Sequence, residues 1–150
     1  MKTVAVSGGF DPLHVGHVQL MKKARALGDR LVVILNNDNW VKQKKGYVFM
    51  NEAERKVVIE AIRYVDAVVL TSHPKNPDDM SISKDLERIS PDVFANGGDR
   101  NEKDAADPKS SLHADIQVCE RLGIEMVFNL GDKVQSSSWL INKVRKNNVN

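Results

Sequence analysis

Short apolar runs alternate with segments of helical periodicity along this chain. The apolar runs are rich in Val, Ile and Leu, which is typical of strands buried on both faces of a parallel sheet. Five strands are predicted, over residues 3–7, 31–35, 67–70, 92–95 and 124–129.

Between the strands, apolar residues recur every three or four positions, which predicts helices. In the first of these segments Val18, Met21 and Ala24 share one face, and Gly28 ends the pattern. The pair Asn51 and Glu54 has the spacing of a capping box and opens another helix. Helices are predicted over residues 17–27, 51–64, 83–89 and 112–122, and a last one begins at Ser136 or Ser137.

The alternation of strand and helix predicts an α/β fold with a doubly wound, parallel, five-stranded sheet in one domain spanning residues 1–150. In such sheets ligands bind beyond the carboxyl ends of the strands. The loop after the first strand, the turns at 36–38 and 96–100, and the turn before Ser136 are therefore expected at one edge. Residues 96–111, rich in Asp, Asn, Lys and Ser, are predicted to be a mobile loop. Its 101–111 part is expected to shape the choice of acceptor, in a role that the sequence leaves open.

The composition is that of an ordinary globular protein, with 41% hydrophobic and 28% charged residues. A formal net charge of +2 is too small to indicate nucleic-acid or membrane binding. The single Cys119 excludes an internal disulfide and fits a reducing compartment. No stretch approaches the roughly 20 apolar residues of a membrane span, and the first apolar run is too short for a signal peptide. A cytoplasmic location is expected.

The segment after the first strand carries the most distinctive pattern. Residues 8–17 have the sequence Gly-Gly-Phe-Asp-Pro-Leu-His-Val-Gly-His and lead into the first predicted helix. Glycines let backbone N–H groups approach phosphate oxygens, and the helix N-terminus adds positive partial charge. A glycine pair alone is weak evidence for such a site, because many tight turns have one. Two histidines three residues apart are more often solvated, or a chance metal pair, than catalytic. Together, with His14 and His17 able to face one phosphoryl group, they favour a nucleotide-phosphate site.

Other polar residues on the same edge have simpler explanations as well. A single serine at the start of the last helix would be a plain N-cap, whereas the three serines at 136–138 also form an anion site. Lys42, Lys44 and Lys45 form a predicted basic loop, for which a solvated charge run is the usual explanation. An isolated aspartate such as Asp38 is more often a turn former than a ligand.

Residues 8–17 resemble the first signature of the cytidylyltransferase-like nucleotidyltransferases. Residues 135–141, Gln-Ser-Ser-Ser-Trp-Leu-Ile, resemble their second signature, with Gln135 in place of the usual apolar residue. The resemblance covers essentially the whole chain and implies a Rossmann-like nucleotidyltransferase fold. It implies transfer of CMP or AMP from CTP or ATP to the phosphate of a small phosphorylated alcohol or sugar, with release of pyrophosphate. A homodimer that acts without nucleic acid or membrane is expected.

In the implied reaction, the acceptor phosphate attacks the α-phosphorus of the triphosphate. This phosphate is mostly dianionic at pH 7, since its second pKa is about 6, so no general base is expected. Alignment and charge stabilisation would then provide catalysis. By resemblance, the catalytic residues are His14, His17 and Lys44, with Mg²⁺ as cofactor and Asp11 as a candidate metal ligand.

The resemblance also implies two sets of binding residues. Asp38 would contact the acceptor, and Arg55 and Arg63 would bind its phosphate or support the site. The nucleotide would be bound by Gly8, Gly9, Phe10, Asp11, Gly16, Gly98, Asp99, Arg100, Ser136, Ser137 and Ser138.

The choice between CTP and ATP stays open. Residues 42–66 are similar to the glycerol-3-phosphate cytidylyltransferases of this family, and residues 96–99 to its heptose-phosphate adenylyltransferases. Residues 131–134, Gly-Asp-Lys-Val, lack the arginine that the cytidylyltransferases carry there.

Two other functions compete with the transferase. A non-catalytic nucleotide-binding sensor or partner protein on the same fold would bind a triphosphate and release no pyrophosphate. A fragment related to class I aminoacyl-tRNA synthetases, which share the His-x-Gly-His loop, ranks last because the chain has no Lys-Met-Ser-Lys-Ser run.

Overall fold

The computed structural model describes residues 1–97, 110–131 and 137–148. These residues form a five-stranded sheet with the strand order β3-β2-β1-β4-β5, in which every pair is parallel. The predicted doubly wound, parallel α/β sheet is confirmed. The strands are β1 (Thr3–Gly8), β2 (Arg30–Leu35), β3 (Ala67–Leu70), β4 (Val93–Ala95) and β5 (Glu125–Val127).

Helices connect the strands and cover both faces of the sheet. The helix predicted over residues 51–64 is shorter in the structure than predicted and ends at Glu60. The last helix begins at Ser137, which is one of the two predicted starts. The described helices are α1 (Val15–Arg25), α2 (Asp38–Lys45), α3 (Glu52–Glu60), α4 (Ser83–Ile89), α5 (Ser111–Leu122) and α6 (Ser137–Asn148). None of them is both long and apolar enough to cross a membrane.

Helix α2 corrects the prediction of a turn at 36–38 followed by a basic loop. The side chain of Asn37 caps its start by accepting from the backbone N of Trp40 at 3.1 Å. Gly46, at φ 85°, ends it in the left-handed conformation. Only Trp40 and Val41 are buried in its eight residues, too few to show a helical period in the sequence.

The two faces of the sheet bury separate apolar clusters. Val4 and Val6 of β1 face one side, where they pack with Met21 of α1 and Ile59 of α3. Ala5 lies between them in the strand and faces the other side, in the cluster that also holds residues of α4 and α5. This alternation is the period of two expected for a strand. Helices therefore pack against both faces of the sheet.

Three aspartates close the opposite, amino-terminal edge of the sheet. The carboxylates of Asp29, Asp66 and Asp92 each accept a hydrogen bond of 2.8 Å from the backbone N of Lys2, Leu31 and Thr3, respectively. The backbone amides at the strand starts are thereby paired. These carboxylates have a structural task, and the carboxyl edge is left for ligands.

Candidate functional site

A cavity of about 210 Å³ lies at the carboxyl edge of the central strands. Its walls come from the loop after β1, from His17, from Asn36 and Trp40 after β2, and from Asn96 and the first turns of α5. The topology thus brings together the loops that follow β1, β2 and β4, as the sequence pattern predicted.

His14 and His17 cap the first turn of α1 reciprocally. Nδ1 of His14 accepts from the backbone N of Gly16 at 3.1 Å, and Nδ1 of His17 accepts from the backbone N of His14 at 3.2 Å. The two rings stack with their centroids 3.7 Å apart. Because both Nδ1 atoms accept, the ring proton of each neutral imidazole is on Nε2. The cap therefore makes each Nε2–H a hydrogen-bond donor.

Burial keeps His17 uncharged. The pKa of His17 is lowered to about 3, chiefly by desolvation, with smaller electrostatic contributions from its neighbours His14 and Lys45. His17 is thus neutral across the physiological range and cannot act as a cationic acid. It can donate a hydrogen bond from Nε2 to a phosphoryl oxygen.

Phe10 shapes the loop beneath His17. It is buried and adopts φ 49°, a left-handed conformation that costs a non-glycine residue about 1 kcal/mol or more. Its ring meets that of His17 edge to face, with centroids 4.9 Å apart. A Cβ on Gly8 would lie 3.0 Å from the Phe10 ring, so glycine at that position is what makes room for it.

Asp11 connects this loop to the segment before α3. Its two carboxylate oxygens accept from the backbone N atoms of Phe49 and Met50, both at 2.7 Å, and the side chain is fully buried. The described residues contain no group of three or more His, Cys, Asp or Glu arranged to hold a metal ion. The contacts of Asp11 are those of a structural clamp, and its role as a metal ligand stays a prediction.

Of the lysines at 42, 44 and 45, Lys45 is the one that acts on the pKa of His17. Nζ of Lys45 donates to the backbone carbonyl of Asp11 at 2.8 Å, whereas the side chains of Lys42 and Lys44 are exposed. Burial lowers the pKa of Lys45, while Asp11 opposes that shift and Arg55 adds to it. Resemblance to the family ranks Lys44 first, and its role stays a prediction. The register of α2, which decides which lysine faces inward, is not visible in the sequence.

Arg55 is buried and connects three segments: the loop after β1, the turn between β2 and α2, and the residues before α3. The residue is 1% exposed. Nε donates to the carbonyl of Met50 at 2.8 Å, and Nη1 donates to the carbonyls of Gly9 and Asn36 at 2.7 Å each. Nη2 donates to Oδ1 of Asp38 at 2.7 Å. Of the two predicted roles, contact with the acceptor or support of the site, this geometry favours support.

The other predicted acceptor residues differ in position. The side chain of Asp38 is 33% exposed beside the Arg55 guanidinium and can still meet a ligand. Arg63 is exposed in the connection from α3 into the amino end of β3, so the structure does not bring it to the cavity.

The second signature contacts the first through one serine. Oγ of Ser137 donates to the carbonyl of Pro12 at 2.8 Å, which links the start of α6 to the loop that carries His14. Ser138 is exposed in the first turn of α6. Gly98, Asp99, Arg100 and Ser136, predicted to bind the nucleotide, lie outside the described residues, as does most of the 101–111 segment.

Comparison with known proteins agrees with this geometry. Residues 5–141 match the family described as cytidylyltransferase-like. An FAD synthase of Pyrococcus abyssi is 44% identical over 99 residues, which are 65% of this chain and 64% of that protein. The chain therefore spans slightly less than two thirds of the length of that relative.

A second relative and a solved structure extend the comparison. A glycerol-3-phosphate cytidylyltransferase of Staphylococcus aureus is 40% identical over 101 residues, 66% of this chain and 71% of that protein. The crystal structure of a lipopolysaccharide core biosynthesis protein from Thermoplasma volcanium superposes with a TM-score of 0.65 at 25% identity. That match covers 88% of this chain and 98% of the other.

Proposed function

Because this chain belongs to the cytidylyltransferase-like family, we propose that it transfers CMP or AMP from CTP or ATP to the phosphate of a small phosphorylated alcohol or sugar. The observation that carries the proposal is the reciprocal cap of His14 and His17, which fixes two neutral rings as Nε2–H donors. A site that only bound phosphate could use any cation or helix N-terminus. Two oriented neutral donors instead suit a group whose charge is redistributed during transfer.

The proposed step needs no proton transfer by the protein. An oxygen of the acceptor phosphate forms a bond to the α-phosphorus, the bond from that phosphorus to the bridging oxygen breaks, and pyrophosphate leaves with the electron pair. The acceptor phosphate is already mostly dianionic at pH 7. His14 and His17 would donate to the phosphoryl oxygens, and the positive end of α1 and Lys45 or Lys44 would offset their charge.

Mg²⁺ is proposed to enter with the triphosphate. Mg²⁺ keeps several waters and is usually bound by substrate phosphates with one or two carboxylates rather than by a complete protein cage. The described residues do not fit a dedicated metal site, since both oxygens of the buried Asp11 already accept backbone hydrogen bonds. The protein's own task is then to orient the phosphates.

The two relatives leave the acceptor open. One is a glycerol-3-phosphate cytidylyltransferase and the other an FAD synthase. The test below therefore includes acceptors of different size together with all four triphosphates.

A cytoplasmic homodimer is proposed for the whole protein. Phe49 and Val57 are 58% and 67% exposed, near and on α3, where a second copy could cover them. The size of the protein in solution, measured by light scattering during gel filtration, tests this part of the proposal directly.

Pyrophosphate release tests the transferase proposal. The four ribonucleoside triphosphates are each combined, with Mg²⁺, with glycerol 3-phosphate, phosphocholine, phosphoethanolamine, heptose 1-phosphate and FMN. Release in one combination, dependent on the acceptor, identifies base and acceptor together. Release in none, with triphosphate binding intact by calorimetry, contradicts the proposal for these acceptors and favours the nucleotide-binding sensor.

A further inference from the structure

The amide oxygen of Asn36 is buried without a hydrogen-bond partner. The residue is 3% exposed, and among the residues that the structure describes its Oδ1 is the buried side-chain polar atom left unpaired. Buried polar atoms in folded proteins are nearly always paired, because the unpaired state loses hydration without compensation. An exception at a cavity wall points to a ligand that supplies the missing donor.

The next residue, Asn37, differs from Asn36 because both ends of its side-chain amide are paired. Oδ1 of Asn37 accepts from the backbone N of Trp40 at 3.1 Å, and its Nδ2 donates to the carbonyl of His73 at 2.9 Å. Both ends of the Asn37 amide therefore serve the fold. The oxygen of Asn36 has no such task, although the two residues are neighbours at the end of β2.

The backbone of Asn36 is held on both sides. Its N donates to the carbonyl of Gly8 at 2.9 Å, and its carbonyl accepts from Nη1 of Arg55 at 2.7 Å. The side chain of Asn36 thus begins at a fixed point of the backbone, beside the loop that follows β1. A fixed backbone limits how far the side-chain amide can reach, and so limits the ligands that it can serve.

The cavity around Asn36 is lined by both polar and apolar side chains, and the groups closest to it in character are already paired. Trp40, Met80, Ile82 and Asp115 belong to this lining. The indole Nε1 of Trp40 donates to the carbonyl of Met80 at 2.8 Å, and Oδ1 of Asp115 accepts from the backbone N of Ile82 at 3.0 Å. Those groups are engaged by the protein itself, whereas Oδ1 of Asn36 is not.

We infer that Asn36 determines acceptor specificity: its Oδ1 accepts a hydrogen bond from a hydroxyl group of the phosphorylated alcohol or sugar. The inference rests on the proposed function and adds to it the requirement for a hydroxylated acceptor. An alkyl phosphate of the same length would leave Oδ1 buried and unpaired in the complex. A site built around a hydrogen bond discriminates strongly against a ligand that cannot form it.

The test pairs glycerol 3-phosphate with propyl phosphate, which lacks both hydroxyl groups. Wild type and Asn36→Leu, of similar volume without the oxygen, are compared by kcat/KM for each acceptor and by KM for the triphosphate. The wild type is expected to prefer glycerol 3-phosphate by about tenfold or more, and Asn36→Leu to lose that preference with the triphosphate KM unchanged. Asn36→Ala serves as a second variant if the leucine does not fit.

A measurement of acceptor binding distinguishes failure of this inference from failure of the proposed function. If the wild type releases no pyrophosphate with any acceptor, the transferase proposal fails, and affinities for the two probes are measured by calorimetry with a non-hydrolysable triphosphate present. A preference for glycerol 3-phosphate that disappears in Asn36→Leu still supports the role of Asn36. Equal binding or turnover of both probes by wild type, or the same preference in both proteins, overturns it.

Discussion

The backbone N of His14 donates to Nδ1 of His17 at 3.2 Å, so one catalytic candidate is held in place by the other. Serine, threonine or an acidic residue usually caps a helix in this way. Here the capping side chains are the candidates for binding the phosphates. Stability and activity therefore depend on the same two rings, but on opposite edges of each ring, which makes the two contributions separable.

His14→Asn should separate them. The asparagine oxygen can replace Nδ1 as the acceptor for Gly16, while the Nε2 donor is lost. We expect its unfolding free energy to stay near that of the wild type and its turnover to fall about 100-fold or more. His14→Ala should show the same loss of turnover together with about 1 kcal/mol of lost stability. Urea unfolding and pyrophosphate release measure both, and normal turnover in either variant would rule out a catalytic role.

The low pKa of His17 predicts a stability that depends on pH. The folded pKa of about 3 lies below the ordinary histidine value of 6.5, so between these values the unfolded chain binds more protons than the native state. Stability should therefore fall as the pH drops from about 6.5 towards 3, by at most about 1.4 kcal/mol per pH unit from this residue. His17→Gln should flatten that slope in urea unfolding between pH 7 and 4. Equal slopes in both proteins would mean that His17 titrates normally.

The neutral His17 also predicts the pH profile of catalysis. Since its protonation lies far below the physiological range, kcat of the wild type should show no loss near pH 6.5 that depends on His17. The profile is measured from pH 5.5 to 8.5 with saturating substrates. A loss near pH 6.5 that disappears in His17→Gln would contradict a neutral donor.

The strands and the loop of residues 8–17 were predictable because the pattern of each lies in residues that are neighbours in the sequence. Runs such as residues 31–35 are apolar throughout, and the glycines and histidines of residues 8–17 occur together. Helix α2 was not predictable, since its buried face has only Trp40 and Val41. The place of Arg55 was not predictable either, because arginine is rarely buried and the partners of Arg55 come from three separate segments. The unpaired oxygen of Asn36 is visible only when all of its neighbours are in place.

Arg55→Lys should test whether Arg55 supports the site or binds the acceptor. Lysine cannot reproduce the planar fork that serves Met50, Gly9, Asn36 and Asp38 together. We expect the free energy of unfolding to fall by about 3 kcal/mol or more, because a buried network is broken. At a temperature where the variant remains folded, its KM for the acceptor should change little. Normal stability with an acceptor KM raised tenfold would instead assign Arg55 to the acceptor.

Lys45→Met and Lys44→Met, compared side by side, should identify the lysine that serves the phosphates. Nζ of Lys45 is held at 2.8 Å from the carbonyl of Asp11, and its charge is one of the causes that lower the pKa of His17. A cation kept at that position offsets phosphate charge better than an exposed one that water and salt screen. We therefore expect kcat to fall about 100-fold in Lys45→Met and only a few-fold in Lys44→Met.

Salt dependence and the titration of His17 strengthen the comparison of the two lysines. The contribution of Lys45 should persist at 0.5 M salt, because partly buried charges are screened less than exposed ones. Removing Lys45 should also raise the pKa of His17, which an NMR titration of the ring can detect, while Lys44→Met leaves it unchanged. If Lys44→Met loses the larger share of kcat and the His17 titration is the same in both variants, the sequence-based choice of Lys44 is correct and the contact of Lys45 with Asp11 is structural.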